Sequence, residues 1–181
     1  MEIGHRFENP KCRSSLSKLK NSFDANRKIW ESSRTCAGLK RQLESLTIAV
    51  PIKKIVCFGL GALDNTNPNW PLRSFAQHAA VLTVRDFLQT IDNVKCYAQD
   101  PAYNDRDKEL LSSLGITPLE DPRGFLAIDQ NTLVFSVSPN APVKEIVADI
   151  QWPAAMIWDT VDEDHAMYRA KHSSKLGTSE L

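Results

Sequence analysis

A glycine-containing turn is the first feature of this sequence with the chemistry of a ligand site. Gly59, Leu60 and Gly61 follow the apolar run Ile55–Phe58, which has the pattern of a buried strand. Glycine allows a ligand to approach the backbone closely, as in nucleotide and S-adenosylmethionine loops. The dinucleotide pattern G-x-G-x-x-G is incomplete, because position 64 is Asp. The turn therefore indicates either a ligand loop of another kind or a tight turn without a ligand.

Two acidic residues close predicted strands further along the chain. Asp100 ends the strand that starts at Val94, and Asp159 ends the strand that starts at Ala155. If these strands flank the first one, both carboxylates lie on one edge of the sheet. There they could perform acid–base chemistry or bind a hydroxylated ligand. The alternative is that one carboxylate caps a helix and the other is solvated.

The histidines and cysteines form no recognisable catalytic or metal-binding pattern. His165 and His172 are seven residues apart, His78 lies in an apolar helix, and no H-E-x-x-H, G-x-S-x-G or Walker motif occurs. The four cysteines contain no C-x-x-C pair, so we predict reduced thiols and no metal site. Cys57 and Cys96 lie in strand-like runs and should pack as small hydrophobic residues. We expect the histidines to be at the surface or internally satisfied.

The elements that position these residues begin with a helical segment over residues 1–50. Apolar residues recur at helical spacing over residues 13–46, which predicts two helices. Asp24 or Asn26 could cap the second of them. Pro51 ends the segment, and the period of the apolar pattern changes after it.

Strands and helices alternate over residues 51–181, which we interpret as one domain. The predicted helices cover residues 72–91, a segment capped by Asn104 or Asp105 and stopped by Gly115, residues 143–150 and residues 165–175. The remaining predicted strands are Ile116–Leu119 and Thr132–Ser138, and Trp152 and Trp158 should be core residues near the last strand. This alternation predicts an α/β, Rossmann-like three-layer sandwich with a mostly parallel sheet.

Ligands of such sheets bind at the carboxyl ends of the strands, where the strand order reverses. We therefore expect the strand ends to form a ligand-binding edge, together with one residue of the long helix. The candidate ligand-binding residues are Gly59, Leu60, Gly61, Gln77, Asp100, Ser138, Asn140 and Asp159.

Composition excludes several classes of protein. The chain has 181 residues, zero formal net charge and 24% charged residues, values typical of a globular domain and not of a disordered or collagen-like chain. Its apolar runs are shorter than the roughly 20 residues needed to span a bilayer. The N-terminus lacks the apolar region of a signal peptide, so we expect a cytoplasmic or nuclear location. Residues 1–50 carry 10 basic and 5 acidic residues, but without a cluster of consecutive basic residues or the interleaved aromatics of a nucleic-acid surface.

The order of short motifs from residue 30 to residue 160 resembles the family named after Sensitivity to Red Light Reduced. The family's Cys-(Tyr/Phe)-Gly-Leu-Gly strand end matches Cys57–Gly61, and its Gln-Leu-Ala helix matches Gln77–Ala79 with a change in the middle. Its Asp-Pro and Leu-Gly-Ile motifs match Asp100–Pro101 and Leu114–Ile116, and its Thr-Leu-Phe strand matches Thr132–Phe135. The resemblance implies a regulatory protein, with family roles in light signalling, the circadian clock and haem metabolism.

Two departures from the family pattern concern the strand ends. Where the family has a Met-Pro-His-Cys-like turn, this chain has Val137–Asn140, so any haem or metal ligands of that turn are lost. Asp159 and Thr160 replace a Gly-Asn-Ser-like end of the last strand. We interpret the chain as a divergent, short member with altered use of this edge.

Three functions follow from these observations. The first is a regulatory protein that binds a small ligand or a protein partner at the sheet edge without turnover. The second is an enzyme with a nucleotide or S-adenosylmethionine site, and the third is an adaptor that docks through its basic N-terminal helices. Candidate cofactors are a nucleotide, S-adenosylmethionine and haem.

Overall fold

The fold alternates helices and strands, as the sequence predicts. The computed structural model describes residues 10–47, 49–64, 71–91, 93–137 and 139–158. Its helices are α1 Pro10–Glu31, α2 Arg34–Ser45, α3 Pro71–Gln89, α4 Asp105–Ser113, α5 Arg123–Leu126 and α6 Val143–Ile150. Its strands are β1 Lys54–Phe58, β2 Lys95–Gln99, β3 Thr117–Pro118, β4 Thr132–Ser136 and β5 Ala155–Trp158.

The five strands form one parallel sheet in the order β3-β2-β1-β4-β5. β1 lies at the centre, where its residues Ile55 and Val56 pair with Cys96 and Tyr97 on one side and with Leu133 and Val134 on the other. The chain runs outward from β1 in one direction, then returns to start β4 on the other side. This is the strand-order reversal at which ligands bind in open α/β sheets.

Alternate side chains of the central strands enter two separate cores, which makes the molecule three-layered. Ile55 and Cys57 pack with α1, α2, α3 and α4 in the larger core. Val56 and Phe58 point to the opposite face and pack with α5 and α6 in the smaller core. The period-2 alternation of a strand thus buries both faces of the sheet, and the α/β prediction is confirmed.

The N-terminal segment forms two helices, but the boundary differs from the prediction. α1 continues through Asp24 and Asn26 to Glu31, and α2 starts after Ser33, whose side chain accepts a hydrogen bond from Cys36 N at 3.1 Å. The prediction of a cap at Asp24 or Asn26 was wrong. The adjacent Phe23 is fully buried in the larger core, and its packing favours an uninterrupted helix there.

Two features of the smaller layer escaped the sequence analysis. α5 has four residues, too few for a periodic signal, and was not predicted. Trp152 was predicted to be a core residue but is 72% exposed, because it lies in the connection after α6 and outside β5. Trp158 is half-buried at the end of β5, with Lys144 Nζ 4.1 Å from its ring centroid. The predicted helix over residues 165–175 lies outside the described residues.

Within the part of the chain that the structure describes, no helix is both long enough and apolar enough to span a membrane.

Candidate functional site

A cleft opens where the carboxyl ends of β1, β2 and β4 meet. Its cavity measures about 420 Å³, within the usual range of small-molecule sites. The described residues that line it come from the three strand ends, α3, α5 and the start of α6: Phe58, Gly59, Leu60, Gly61, Arg73, Ser74, Gln77, Gln99, Asp100, Pro101, Ala102, Asp121, Phe125, Pro139, Asn140, Ala141 and Val143.

Most of the candidate ligand-binding residues meet at this cleft. Six of the eight line it, from four separate segments: Gly59, Leu60, Gly61, Gln77, Asp100 and Asn140. The other two, Ser138 and Asp159, lie outside the described residues.

The turn after β1 requires its glycines for backbone reasons. Gly59 and Gly61 have φ angles of 69° and 79°. Residues other than glycine rarely adopt positive φ angles, because their Cβ atom clashes with the backbone. A Cβ atom on Gly59 would also lie 3.1 Å from Pro139 Cα and Cβ. The glycines therefore bring the end of β1 against the segment that follows β4, and so shape the wall of the cleft.

Asp100 joins the loops after β1 and β2. Its Oδ2 accepts a hydrogen bond from Gly61 N at 2.7 Å, and its Oδ1 accepts one from Ala102 N at 2.8 Å. We expected this carboxylate to perform acid–base chemistry or to bind a hydroxylated ligand. Both oxygens already accept backbone hydrogen bonds, yet each keeps a second lone pair for a donor in the cleft.

Asp107 accepts hydrogen bonds from the loop that follows β1 (residues 59–64, the β1 loop) and was missed as part of the site. It is fully buried in the first turn of α4. Its Oδ1 accepts from Leu63 N at 3.0 Å and from Asp64 N at 2.7 Å, while its Oδ2 accepts from Asn104 N at 3.0 Å. Asn104 and Asp107 form a reciprocal capping box, which the spacing N-x-x-D could have indicated.

A second cluster in the lining of the cleft was also missed, and it consists of Phe58, Gln99, Asp121 and Phe125. Gln99 Nε2 donates to Asp121 Oδ1 at 2.8 Å, and Gln99 Oε1 accepts from Gly124 N at 2.6 Å. The Phe58 and Phe125 rings stack with their centroids 4.4 Å apart. The signal available in the sequence is the polar Gln99 at the end of an otherwise buried strand, where an unpaired amide would be costly.

Two side chains of α3 fasten the helix to the strand ends. Ser74 Oγ lies within donor distance of two carbonyls, Leu60 O at 2.9 Å and Gly61 O at 2.7 Å. Gln77 Nε2 donates to Val137 O at 3.0 Å. Ser74 is buried and its hydroxyl group donates to these carbonyls, so neither of these partners is a general base that could activate it as a nucleophile.

His78 lies in the core behind the cleft, as one of the internally satisfied histidines that we expected. Its Nδ1 is 2.8 Å from Ser74 O, and its Nε2 is 2.9 Å from Tyr103 Oη. Because a carbonyl only accepts, Nδ1 carries the proton and Nε2 accepts the tyrosine hydroxyl hydrogen. Burial lowers the pKa of His78 from 6.5 to about 4, so the ring is neutral at pH 7. Burial also raises the pKa of Tyr103 well above its usual value.

We expect His78 to make the protein less stable in mild acid. The unfolded chain takes up a proton near pH 6.5, whereas the native state resists protonation until about pH 4. The contribution of His78 is therefore present above pH 6.5 and is lost as the pH falls toward 4. At 1.36 kcal/mol per pKa unit, the free energy of unfolding should drop by about 2 kcal/mol between pH 7 and pH 5, as measured by urea denaturation.

The matched variant for this measurement is His78→Asn, which keeps a hydrogen-bond donor but cannot titrate. The variant should have a lower free energy of unfolding at pH 7. It should also lose most of the difference in that free energy between pH 7 and pH 5, because the titration of His78 is removed while the other histidines are the same in both proteins. An unchanged pH dependence in the variant would assign the effect to other groups.

The described residues offer no site for a metal ion. No group of three or more His, Cys, Asp or Glu side chains converges among them. Neither His nor Cys is among the described cleft residues, so the cleft shows no usual axial ligand for haem iron. Cys57 and Cys96 are buried in the core, as predicted, and burial raises the pKa of the Cys57 thiol well above its usual value.

The family model described as the SRR1 domain matches residues 39–180, which include the cleft. No curated protein and no solved structure matches the chain significantly.

Proposed function

Because the chain belongs to the SRR1 domain family, we propose that it is a regulatory protein that binds a small organic ligand in the cleft without transforming it. The observation that carries this proposal is the cleft itself, a preformed cavity of about 420 Å³ at the strand-order reversal. The resemblance to the family supports a role in circadian, light or haem-linked regulation, in the cytoplasm or the nucleus.

The hydrogen bonds around the cleft favour binding over turnover. The acidic and hydroxyl groups at its base serve the backbone: Asp100 accepts from two amides, and Ser74 faces two carbonyls. His78 is buried behind the cleft and bonded at both ring nitrogens. These described groups position loops, whereas catalysis would require a nucleophile or base that reaches a substrate atom.

The adaptor function has weaker support, because the N-terminal helices are part of the core. Leu19 and Phe23 of α1 and Leu43 of α2 are buried in the larger core, and Trp30 Nε1 donates to Thr83 Oγ1 of α3 at 3.0 Å. A helix that is used this way has only its outer face left for a partner.

We test ligand binding by thermal unfolding of three proteins with ATP, adenosine, S-adenosylmethionine and haemin. The wild type is compared with Ala102→Trp, which fills the cleft from an exposed lining position, and with Ala37→Trp, the same change on the exposed face of α2. At tenfold excess over Kd, a ligand should raise the Tm of the wild type and of Ala37→Trp by about 3 °C. Ala102→Trp should show no rise.

The outcomes separate the alternatives. No shift with any of the four compounds, or an equal shift in Ala102→Trp, would contradict ligand binding in the cleft. Turnover is tested by mass spectrometry of the stabilising compound after incubation with the protein. The binding proposal requires that the compound is recovered intact, whereas the enzyme alternative requires a product.

A further inference from the structure

The β1 loop has the position of a phosphate-binding loop, but three of its amides already donate to carboxylates. In such loops the backbone N–H groups point at the phosphate. Here the N–H of Gly61 donates to Asp100, and those of Leu63 and Asp64 donate to Asp107, all within 3.0 Å. Two carboxylates thus occupy three of the donors that a phosphate could use. A phosphate could reach them only by displacing a carboxylate that also holds the loop in place.

The charge of the cleft opposes a phosphate as well. Its described lining contains the carboxylates of Asp100 and Asp121 and one cation, the exposed Arg73 in the first turn of α3. A phosphate dianion in the cleft would lie near two like charges, the half-buried Asp100 and the exposed Asp121. Arg73 is at the rim, where solvent weakens its attraction for an anion.

The same groups suit a ligand that donates hydrogen bonds. Asp100 closes the second strand, the position at which dinucleotide folds hold a ribose hydroxyl. In the described residues, Asp121 uses Oδ1 for Gln99, which leaves its second oxygen for a donor in the cleft. Phe125 supplies an apolar wall.

We propose that the cleft selects a nucleoside-type ligand without a phosphate group, whose hydroxyl and amino groups donate to Asp100 and Asp121. This inference rests on the proposed function and names the ligand class of the same site. S-adenosylmethionine and adenosine belong to that class, whereas ATP and dinucleotides do not.

The test is isothermal titration of the wild type with adenosine and with AMP, which differ in the phosphate alone. Adenosine should bind at least tenfold more tightly than AMP. In Asp121→Asn, which removes one like charge, the ratio of the two Kd values should narrow to less than threefold. Asp105→Asn removes a carboxylate from an exposed position of α4 that does not line the cleft, and it should keep the wild-type ratio.

Each outcome decides the inference. AMP binding as tightly as adenosine, no adenosine binding at 1 mM, or adenosine binding undiminished in Ala102→Trp overturns it. If the ratio of the adenosine and AMP Kd values is unchanged in Asp121→Asn, the Asp121 carboxylate has no role in selecting the ligand, and this result also contradicts the inference. The proposed function fails on a different result. It is contradicted when none of ATP, adenosine, S-adenosylmethionine and haemin raises the Tm of the wild type more than it raises the Tm of Ala102→Trp.

Discussion

Replacing Asp107 with alanine should lower the free energy of unfolding by about 3–5 kcal/mol, because three backbone N–H groups lose a charged acceptor. Those groups belong to Leu63, Asp64 and Asn104, and the carboxylate that binds them is fully buried. The loss should appear in urea denaturation as a lower midpoint at a similar slope. Since Leu63 and Asp64 follow the glycine turn directly, the variant should also weaken ligand binding in the cleft.

Two further variants test whether the buried carboxylate of Asp107 causes this loss of stability. Asp105→Ala removes an exposed carboxylate from the same helical turn and should cost at most about 1 kcal/mol through the helix dipole. Asp107→Asn keeps one carbonyl oxygen for Leu63 and Asp64 but offers Asn104 no second acceptor, so its loss should be intermediate. Equal losses in Asp105→Ala and Asp107→Ala would show that the buried carboxylate has no special role.

Replacing Phe23 with alanine should have an effect of similar size, about 3–5 kcal/mol. Phe23 has no exposed surface, and its ring meets Phe75 of α3 edge to face, with centroids 6.1 Å apart. The truncation leaves a cavity between α1 and α3. Chemical denaturation measured by circular dichroism and by tryptophan fluorescence should show a single coincident transition with a lower midpoint.

Ile29→Ala is the matched control on the same helix. Ile29 is 67% exposed, so its truncation should change stability by less than about 0.5 kcal/mol. A small loss in Phe23→Ala, or separate transitions for the helices and the sheet, would mean that α1 is an appendage. The predicted result instead implies that α1 forms part of the larger core.

Both predictions concern the support of the cleft. Asp107 holds the β1 loop from α4, and Phe23 packs against α3, the helix whose Ser74 and Gln77 bind the ends of β1 and β4. The cleft therefore depends on contacts made by α1, α3 and α4, which pack in the larger core.

The local elements could be predicted because their signals are short-range. The strands near Ile55 and Leu133 were visible as apolar runs, the helix start at Asn104 as a capping residue, and the stop at Gly115 as a glycine with positive φ, here 75°. The boundary between α1 and α2 was misplaced, because Asp24 can cap a helix or lie within one, and the burial of Phe23 decided between these.

The sequence by itself determined the alternation of strands and helices, and with it the edge at which Gly59, Gly61 and Asp100 were expected to meet. Only the tertiary structure decided what these residues bind to. Gly61 pairs with a carboxylate 39 residues away, Leu63 with one 44 residues away, and Gln77 with a carbonyl 60 residues away. Such partners leave no periodic trace in the sequence, because the packing of the helices on the sheet, and not the spacing along the chain, brings them within hydrogen-bond distance.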